Sequence, residues 1–476
     1  MKTKTLQQIH EELKSGTTTV DALVNESKKI ITEKDQKVHA LLGMYSDTLV
    51  TLQIAKAQKM FADGTATLLT GIPVVLKDNI LVKGELATGA SKILEHYVAT
   101  YDSTVVKKLK EVGAVLIGRA NMDEFAMGGS TENSAYGVTK NPYDLTKVAG
   151  GSSGGSAAVV AYGGVPVSLG SDTGGSIRQP ASFCGVVGLK TTYGNVSRFG
   201  VMAMGSSLDQ VGPCGNSVAD VEAVYNVISA YDPMDSTSLP ETVRQKDSTI
   251  KELKKVIGVP RSFIFRDGVN KEVLINFESS LEKLVHEGYV IKDIEINQLE
   301  KSLSVYYILM FAEVSSNLAR YDGIRYGLSH PGETSIRSYF ESRTSGFGPE
   351  VRRRILLGTY VLSAGYYDAY YNKANIVRVL LKKEFDRVFN DVDVIATPTS
   401  PIPAFEIGEK SSDPLSMYLA DIFTVPVNIV GVPAISIPSG KTVTGLPLGV
   451  QFIAPHMRED ILFALGKDFE KVQDRN

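Results

Sequence analysis

Two cysteines, Cys184 and Cys214, are all that the 476-residue chain contains. Neither belongs to a C-x-x-C pair. A disulfide framework is therefore excluded, a structural zinc site nearly so, and a reducing, cytoplasmic location is expected. Long apolar runs are missing too. The longest, Ala157 to Leu169, is broken by Gly163, Gly164 and Pro166, whereas a membrane span needs about 20 apolar residues. Met1 to Lys14 is charged throughout and reads as a short amphipathic helix, not as an apolar signal core. An excess of one charge is also lacking. Fifty Lys+Arg against 53 Asp+Glu leave a net −3, which gives no electrostatic footprint for wrapping nucleic acid. The six histidines (His10, His39, His96, His286, His330, His456) show no metal-binding spacing, and neither common glycine-rich phosphate cradle occurs.

What is present is apolar material for a deep core, 43% of residues, and an abundance of glycine. About a third of the segment Gly150 to Ser176 is Gly, against about 7% in average usage. Apolar, strand-like runs such as Ala157–Val160 and Val165–Leu169 separate the glycines, so the segment reads as packed loops and not as a flexible linker. Residues 1–65 read as helices, with Thr19 and Ser46 as N-caps. Ile72–Leu76 reads as a strand ending at Lys77, Ser103–Val112 as a helix closed by Gly113, and Ala114–Ile117 and Gly185–Leu189 as further strands. This rhythm predicts an α/β fold whose sheet is buried on both faces. Lys255–Val259, a helix Lys271–His286 and Tyr289–Ile294 form a further unit. Residues 299–390 read as a helical insertion, after which strands return at Val392–Ala396, Ala434–Ile437 and Gly449–Ile453. The organisation expected is an N-terminal helical segment, 1–65, packed on one α/β domain, 66–476.

Several residues could carry chemistry. Gly150-Gly151-Ser152-Ser153-Gly154 fits the G-x-S-x-G pattern of a nucleophile elbow, and Ser153 fits it equally with Gly151 and Gly155. Gly170-Ser171-Asp172-Thr173-Gly174-Gly175-Ser176 follows a strand and sets two glycines before a serine. Backbone N–H groups could converge there on whatever Ser176 attacks, although a tight turn before a helix has the same appearance. A serine nucleophile needs a base, and no histidine is well placed. A lysine kept neutral by burial can serve, and Lys77 at its strand end is the candidate.

Taken together, Gly151–Ser156 and Gly170–Arg178 resemble the amidase signature family. The resemblance implies a single large α/β domain, with a central mixed sheet flanked by helices. It also implies a Ser–cis-Ser–Lys triad of Lys77, Ser152 as the bridge and Ser176 as the acyl-ester nucleophile. The oxyanion would lie near the N–H groups of Thr173, Gly174 and Gly175. Asn121–Ser134, Ser315–Tyr326, Arg353–Thr359 and Pro426–Pro433 are similar, within that family, to the glutamine-hydrolysing subunits of tRNA-dependent amidotransferases. That likeness implies glutamine as substrate, with Arg354 on its carboxylate and Asp421 on its ammonium. Arg352 and Arg353 are neighbouring choices for the first role, and a solvated helix face is the plain alternative for the run. It further implies ammonia passed within a heterotrimer to a B-type subunit, together with a small C-type subunit. The partner would use ATP and Mg²⁺ on Glu-tRNA(Gln), or Asp-tRNA(Asn) as well, and this chain would need no cofactor. The rivals are a stand-alone amidase for another small amide and a structural subunit with a vestigial pocket, although no triad member is missing. Thr191 and Asn195 stand where the family usually has proline and arginine; the first is expected to loosen the turn after Lys190.

Overall fold

Uniformly apolar strands place the sheet at the centre of the molecule. The structure is a computed structural model and describes residues 4–244, 254–411 and 413–474. Its strands are β1 (Leu41–Met44), β2 (Pro73–Lys77), β3 (Val115–Ala120), β4 (Lys140–Asn141), β5 (Asp144–Val148), β6 (Val167–Asp172), β7 (Val187–Lys190), β8 (Gln210–Gly215), β9 (Val256–Val259), β10 (Val290–Asp293), β11 (Val394–Pro398), β12 (Ala434–Lys441) and β13 (Pro447–Ile453). Eleven form one sheet in the order β1-β3-β2-β6-β8-β7-β12-β13-β11-β9-β10, and β4 and β5 form a separate pair. The sheet is mixed. β2 runs parallel to β3 and β6, and β9 to β10 and β11, while the strands between β6 and β11 pair antiparallel. β2, β3, β6, β8 and β13 are buried along their whole length, whereas the edge strands β1 and β10 are largely open. Each fully buried Val or Leu contributes roughly 1.5–3 kcal/mol, so the most apolar strands take the middle.

Helices cover both faces. Val20–Val38 and Asp47–Ala62 begin at Thr19 and Ser46, whose hydroxyls accept from Ala22 N and Leu49 N. The N-terminal segment is more than helices, however, because it also contributes edge strand β1, paired antiparallel with β3. Ala157–Val160 is not a strand; it lies in the helix Gly154–Ala161, where Gly154 through Val160 are all buried. A short run buried on every side carries no periodicity that separates helix from strand. Between β10 and β11 the helices Ser302–Asn317, Ser335–Gly346, Pro349–Val361 and Lys373–Val388 form the expected insertion. Among the described residues no helix is long and apolar enough to cross a membrane.

The turn after β7 is tied down, not loosened. Thr191 is fully buried and its hydroxyl donates to Gln210 Oε1 at 3.1 Å. Asn195 Nδ2 reaches Tyr225 Oη at 2.6 Å and Glu459 Oε1 at 3.1 Å, and Glu459 Oε1 also accepts from Thr192 N at 2.8 Å. One amide thus joins the turn to the helices Val218–Ile228 and Glu459–Asp474. Asn195→Ala strips a partner from two buried polar groups and should destabilise the fold by about 1–3 kcal/mol. Urea unfolding should show a lower midpoint at unchanged slope; an unshifted midpoint would remove this amide from the fold's support.

Candidate active site

β2 and β6 run parallel with Leu76 level with Leu169, so Lys77 and Ser171 come close together at the carboxyl ends of two central strands. Outside the carboxyl ends of strands is where α/β folds commonly bind ligands. Lys77 is wholly buried. Its Nζ lies 2.7 Å from Ser152 Oγ and bonds Ser171 Oγ at 2.9 Å and Ser171 O at 3.2 Å. Burial pushes the ammonium down to about 7, against the pull of Asp123, Asp172 and Asp209. The structure thus brings a lysine and a serine 75 residues apart within hydrogen-bond distance.

The Gly151–Ser152 peptide is cis. Ser152 O accepts from Asp123 N at 3.2 Å, and Gly151 N donates to Gln179 Oε1 at 3.0 Å. A side chain at 151 has no room, since a Cβ would stand 2.2 Å from Asp123 Oδ2. Asp123 is a site residue to which the sequence alone assigns no role. Its carboxylate accepts from Thr131 N and Asn133 N, and burial still raises it to about 6.

The loop after β6 is organised by Asp172 and Arg178, both fully buried. Asp172 accepts from Gly175 N at 2.9 Å, Ile177 N at 3.1 Å, Arg178 Nε at 3.0 Å, Arg178 Nη2 at 2.9 Å and Asn428 Nδ2 at 2.9 Å. Burial alone would raise this carboxyl, but Arg178 and Asn428 hold it well below the usual carboxylate range. Arg178 Nη1 spends its hydrogens on Thr424 O at 3.0 Å and Gln451 Oε1 at 2.5 Å. These bonds correct the expected oxyanion donors. The N–H of Gly175 is engaged by Asp172, which leaves those of Thr173 and Gly174 as the candidates on this turn. Gly175 itself has φ +136° and its Cβ would meet Thr424 Oγ1 at 2.2 Å, so the position requires glycine.

Ser176 sits beside the Ser152–Ser153 turn, its carbonyl accepting from Ser153 N at 3.0 Å. Of these three serines, Ser176 alone opens on a cavity. It is 7% exposed, whereas Ser152 and Ser153 are at 0%, and Ser153 Oγ donates to Ser171 O. The elbow pattern therefore describes a buried turn. Among the described residues the Ser176 hydroxyl makes no hydrogen bond, so the structure brings Lys77 and Ser152 together and leaves the Ser152–Ser176 link open.

The cavity is narrow, about 10 Å³ or room for roughly one water, and is lined by Ser176, Gly129, Tyr306, Tyr307, Arg354 and Asp421, among others. Of the three consecutive arginines, Arg354 is buried at the cavity while Arg352 and Arg353 face solvent. Arg354 Nε donates to Glu350 Oε1 at 2.8 Å, and its guanidinium lies over the rings of Tyr307 and Tyr418. Tyr418 Oη donates to the same Glu350 oxygen at 2.9 Å. Asp421 has a buried Oδ1 without a partner. Burial, with Asp172 adding to it, pushes this carboxyl well above its usual range. The site thus sets a buried arginine, held by Glu350, and an unpartnered carboxyl around a narrow cavity on which one serine opens. The sequence alone gives no site role to Tyr306 and Tyr307, which are adjacent on one helix, or to Tyr418, more than a hundred residues on.

Comparison with known proteins shows the family. Residues 22–463 match the family described as Amidase. The chain is 49% identical over 474 residues to the A-type subunit of glutamyl-tRNA(Gln) amidotransferase from Microcystis aeruginosa, covering 98% of this chain and 97% of that one. The crystal structure of the same kind of subunit from Thermotoga maritima superposes with a TM-score of 0.75 at 41% identity, over 94% of this chain and 89% of that one. A 6-aminohexanoate cyclic dimer hydrolase superposes with a TM-score of 0.82 at 25% identity, over 98% and 96% of the two chains. The fold is thus shared by proteins of different names, while sequence identity is higher to the A-type amidotransferase subunits. A match running through almost the whole chain, joined to relatives near half identity, makes it a member of the amidase family.

Proposed function

We propose that the chain hydrolyses glutamine to glutamate and ammonia, and that the ammonia serves the amidation of Glu-tRNA(Gln) on a B-type partner subunit. A small C-type subunit completes the heterotrimer, and the partner supplies the ATP and Mg²⁺ chemistry. Whether Asp-tRNA(Asn) is served as well depends on the partner's tRNA site. The observation that carries the reading is the chamber's charge pattern. Arg354 suits an α-carboxylate and the unpartnered Asp421 suits an α-ammonium, so a free amino acid with an amide side chain fits where an aryl or alkyl amide would leave Asp421 without a partner. The A-type relatives support the same assignment.

In this mechanism Ser176 Oγ attacks the side-chain amide carbon of glutamine. Its proton passes to Ser152 Oγ, whose own proton passes to the neutral amine of Lys77, 2.7 Å away. Substrate binding closes the Ser152–Ser176 link, because catalytic hydrogen bonds commonly tighten only in the complex. The N–H groups of Thr173 and Gly174 face the developing oxyanion; one such donor is worth roughly 3–4 kcal/mol. Collapse of the tetrahedral species breaks the C–N bond, and the proton returns through Ser152 to the leaving nitrogen. The γ-glutamyl ester on Ser176 is then hydrolysed by water activated through the same chain, which releases glutamate and restores the hydroxyl.

Because Lys77 is active as the free amine and burial sets it at about 7, glutaminase kcat/KM should rise with pH through that value. Lys77→Arg should be nearly as inactive as Lys77→Ala, since guanidinium stays protonated. A Lys77→Ala variant with high activity and an unchanged pH profile would eliminate the lysine as base.

Ser176→Ala should abolish glutamine hydrolysis, while ammonium chloride restores amidation of Glu-tRNA(Gln) by the complex. Failure of that rescue, with tRNA binding and ATP turnover normal, would overturn the division of labour between subunits.

A further inference from the structure

The helix that carries Arg354, Pro349–Val361, starts with an incomplete cap. Its N-cap residue is Gly348, which has no side chain to offer, and Pro349 follows at the first helical position. A carboxylate from elsewhere in the chain instead takes the N–H of the N-cap residue itself, as the acid of a capping box does. Glu124, 2% exposed, lies on the core loop that leads into the cavity wall. Its Oε2 accepts from Gly348 N at 2.8 Å and its Oε1 from Ser91 Oγ at 2.5 Å. The approach is close: a Cβ on Gly348 would stand 2.4 Å from Glu124 Oε2. Two residues after Glu124, Ala126 lines the cavity, followed by Gly128 and Gly129. The intervening Phe125 packs against Tyr321 and Phe347, rings of the helical insertion, at 4.8 and 5.8 Å between centroids.

One wall of the chamber thus belongs to the core and the opposite wall to the insertion, and a single carboxylate spans them. Resting on the glutamine reading above, we infer that Glu124 is a positioning residue for substrate recognition. By capping the Gly348 end of the helix from the core, it sets where Arg354 meets the glutamine carboxylate. Glu124 touches neither substrate nor the reacting atoms. An acidic group at a helix N-terminus also complements the free N–H groups there. The Glu350–Arg354 pair lies within the first two turns beyond that cap, so a shift of the helix start is carried directly to the guanidinium.

The test is steady-state glutaminase kinetics on the full chain with its partners. Glu124→Ala should raise KM for glutamine about tenfold, the effect of one lost cap of about 1.4 kcal/mol, with kcat within about twofold of wild type. Glu124→Gln should recover most of that loss, because its carboxamide oxygen can accept from Gly348 N while its NH2 meets the Ser91 hydroxyl. Arg354→Ala should raise KM at least as much, and adding Glu124→Ala to it should change KM little further, as expected if Glu124 acts through that arginine. A fall in kcat at constant KM in Glu124→Ala, or full additivity in the double variant, would overturn the inference. If Glu124→Ala fails to fold, Glu124→Gln against Glu124→Leu gives the same comparison, and equal KM values for those two would overturn it as well. If Arg354→Ala leaves KM unchanged, the glutamine reading itself falls; if it raises KM and Glu124→Ala does not, only the positioning role falls.

Discussion

The buried contact between Asp172 and Arg178 is the constraint on which the rest of the site depends. Desolvating two charges is costly, and such a pair persists only when its remaining lone pairs and hydrogens are satisfied. Here they are. Asp172 takes up backbone N–H groups on the turn that carries Ser176, and Arg178 reaches out to Thr424, Asn428 and Gln451. One ion pair therefore shapes the loop bearing the accessible serine and binds it to residues at the far end of the chain. Removing one partner would leave an uncompensated charge in the interior, typically a loss of about 3–5 kcal/mol.

Around that pair the backbone is packed too closely for side chains. Gly151 and Gly175 lie where any Cβ would collide with Asp123 or Thr424. Loops so confined have no room to rearrange, and this keeps Lys77 dry. The burial that lowers its ammonium also raises Asp123 and Asp421. One dry interior thus gives opposite results for an amine and for a carboxyl, and both results suit groups that exchange a proton or await a cation.

The sequence is most legible where chemistry restricts it. Lys77 and Ser176 stand out because a lysine after an apolar strand and a serine after paired glycines are candidates once no histidine is well placed, whereas the bridging role of Ser152 comes from the resemblance. Arg354 and Asp421 are reachable only through resemblance, since an arginine run looks the same on a solvated helix, and only packing decides which member turns inward. β8 escapes notice because Gly212, Pro213 and Gly215 break up its apolar pattern, yet it is fully buried beside β6 and β7. Ala157–Val160 reads as a strand because complete burial erases periodicity. The partial loss of the expected oxyanion set, Gly175 to Asp172, depends on side-chain geometry that no spacing rule encodes.

The strand order also sets a timetable for synthesis. β12 and β13, residues 434 to 453, stand between β7 on one side and β11 on the other. Until they are made, the sheet can exist only as two separate halves, and Arg178 lacks the Gln451 side chain that helps to hold it. Pairings between such distant segments are slow to form. A growing chain can therefore assemble its lysine and first serine early, yet it has no finished chamber until its last tenth has emerged. A chain that stopped before those strands would lack the middle of its sheet.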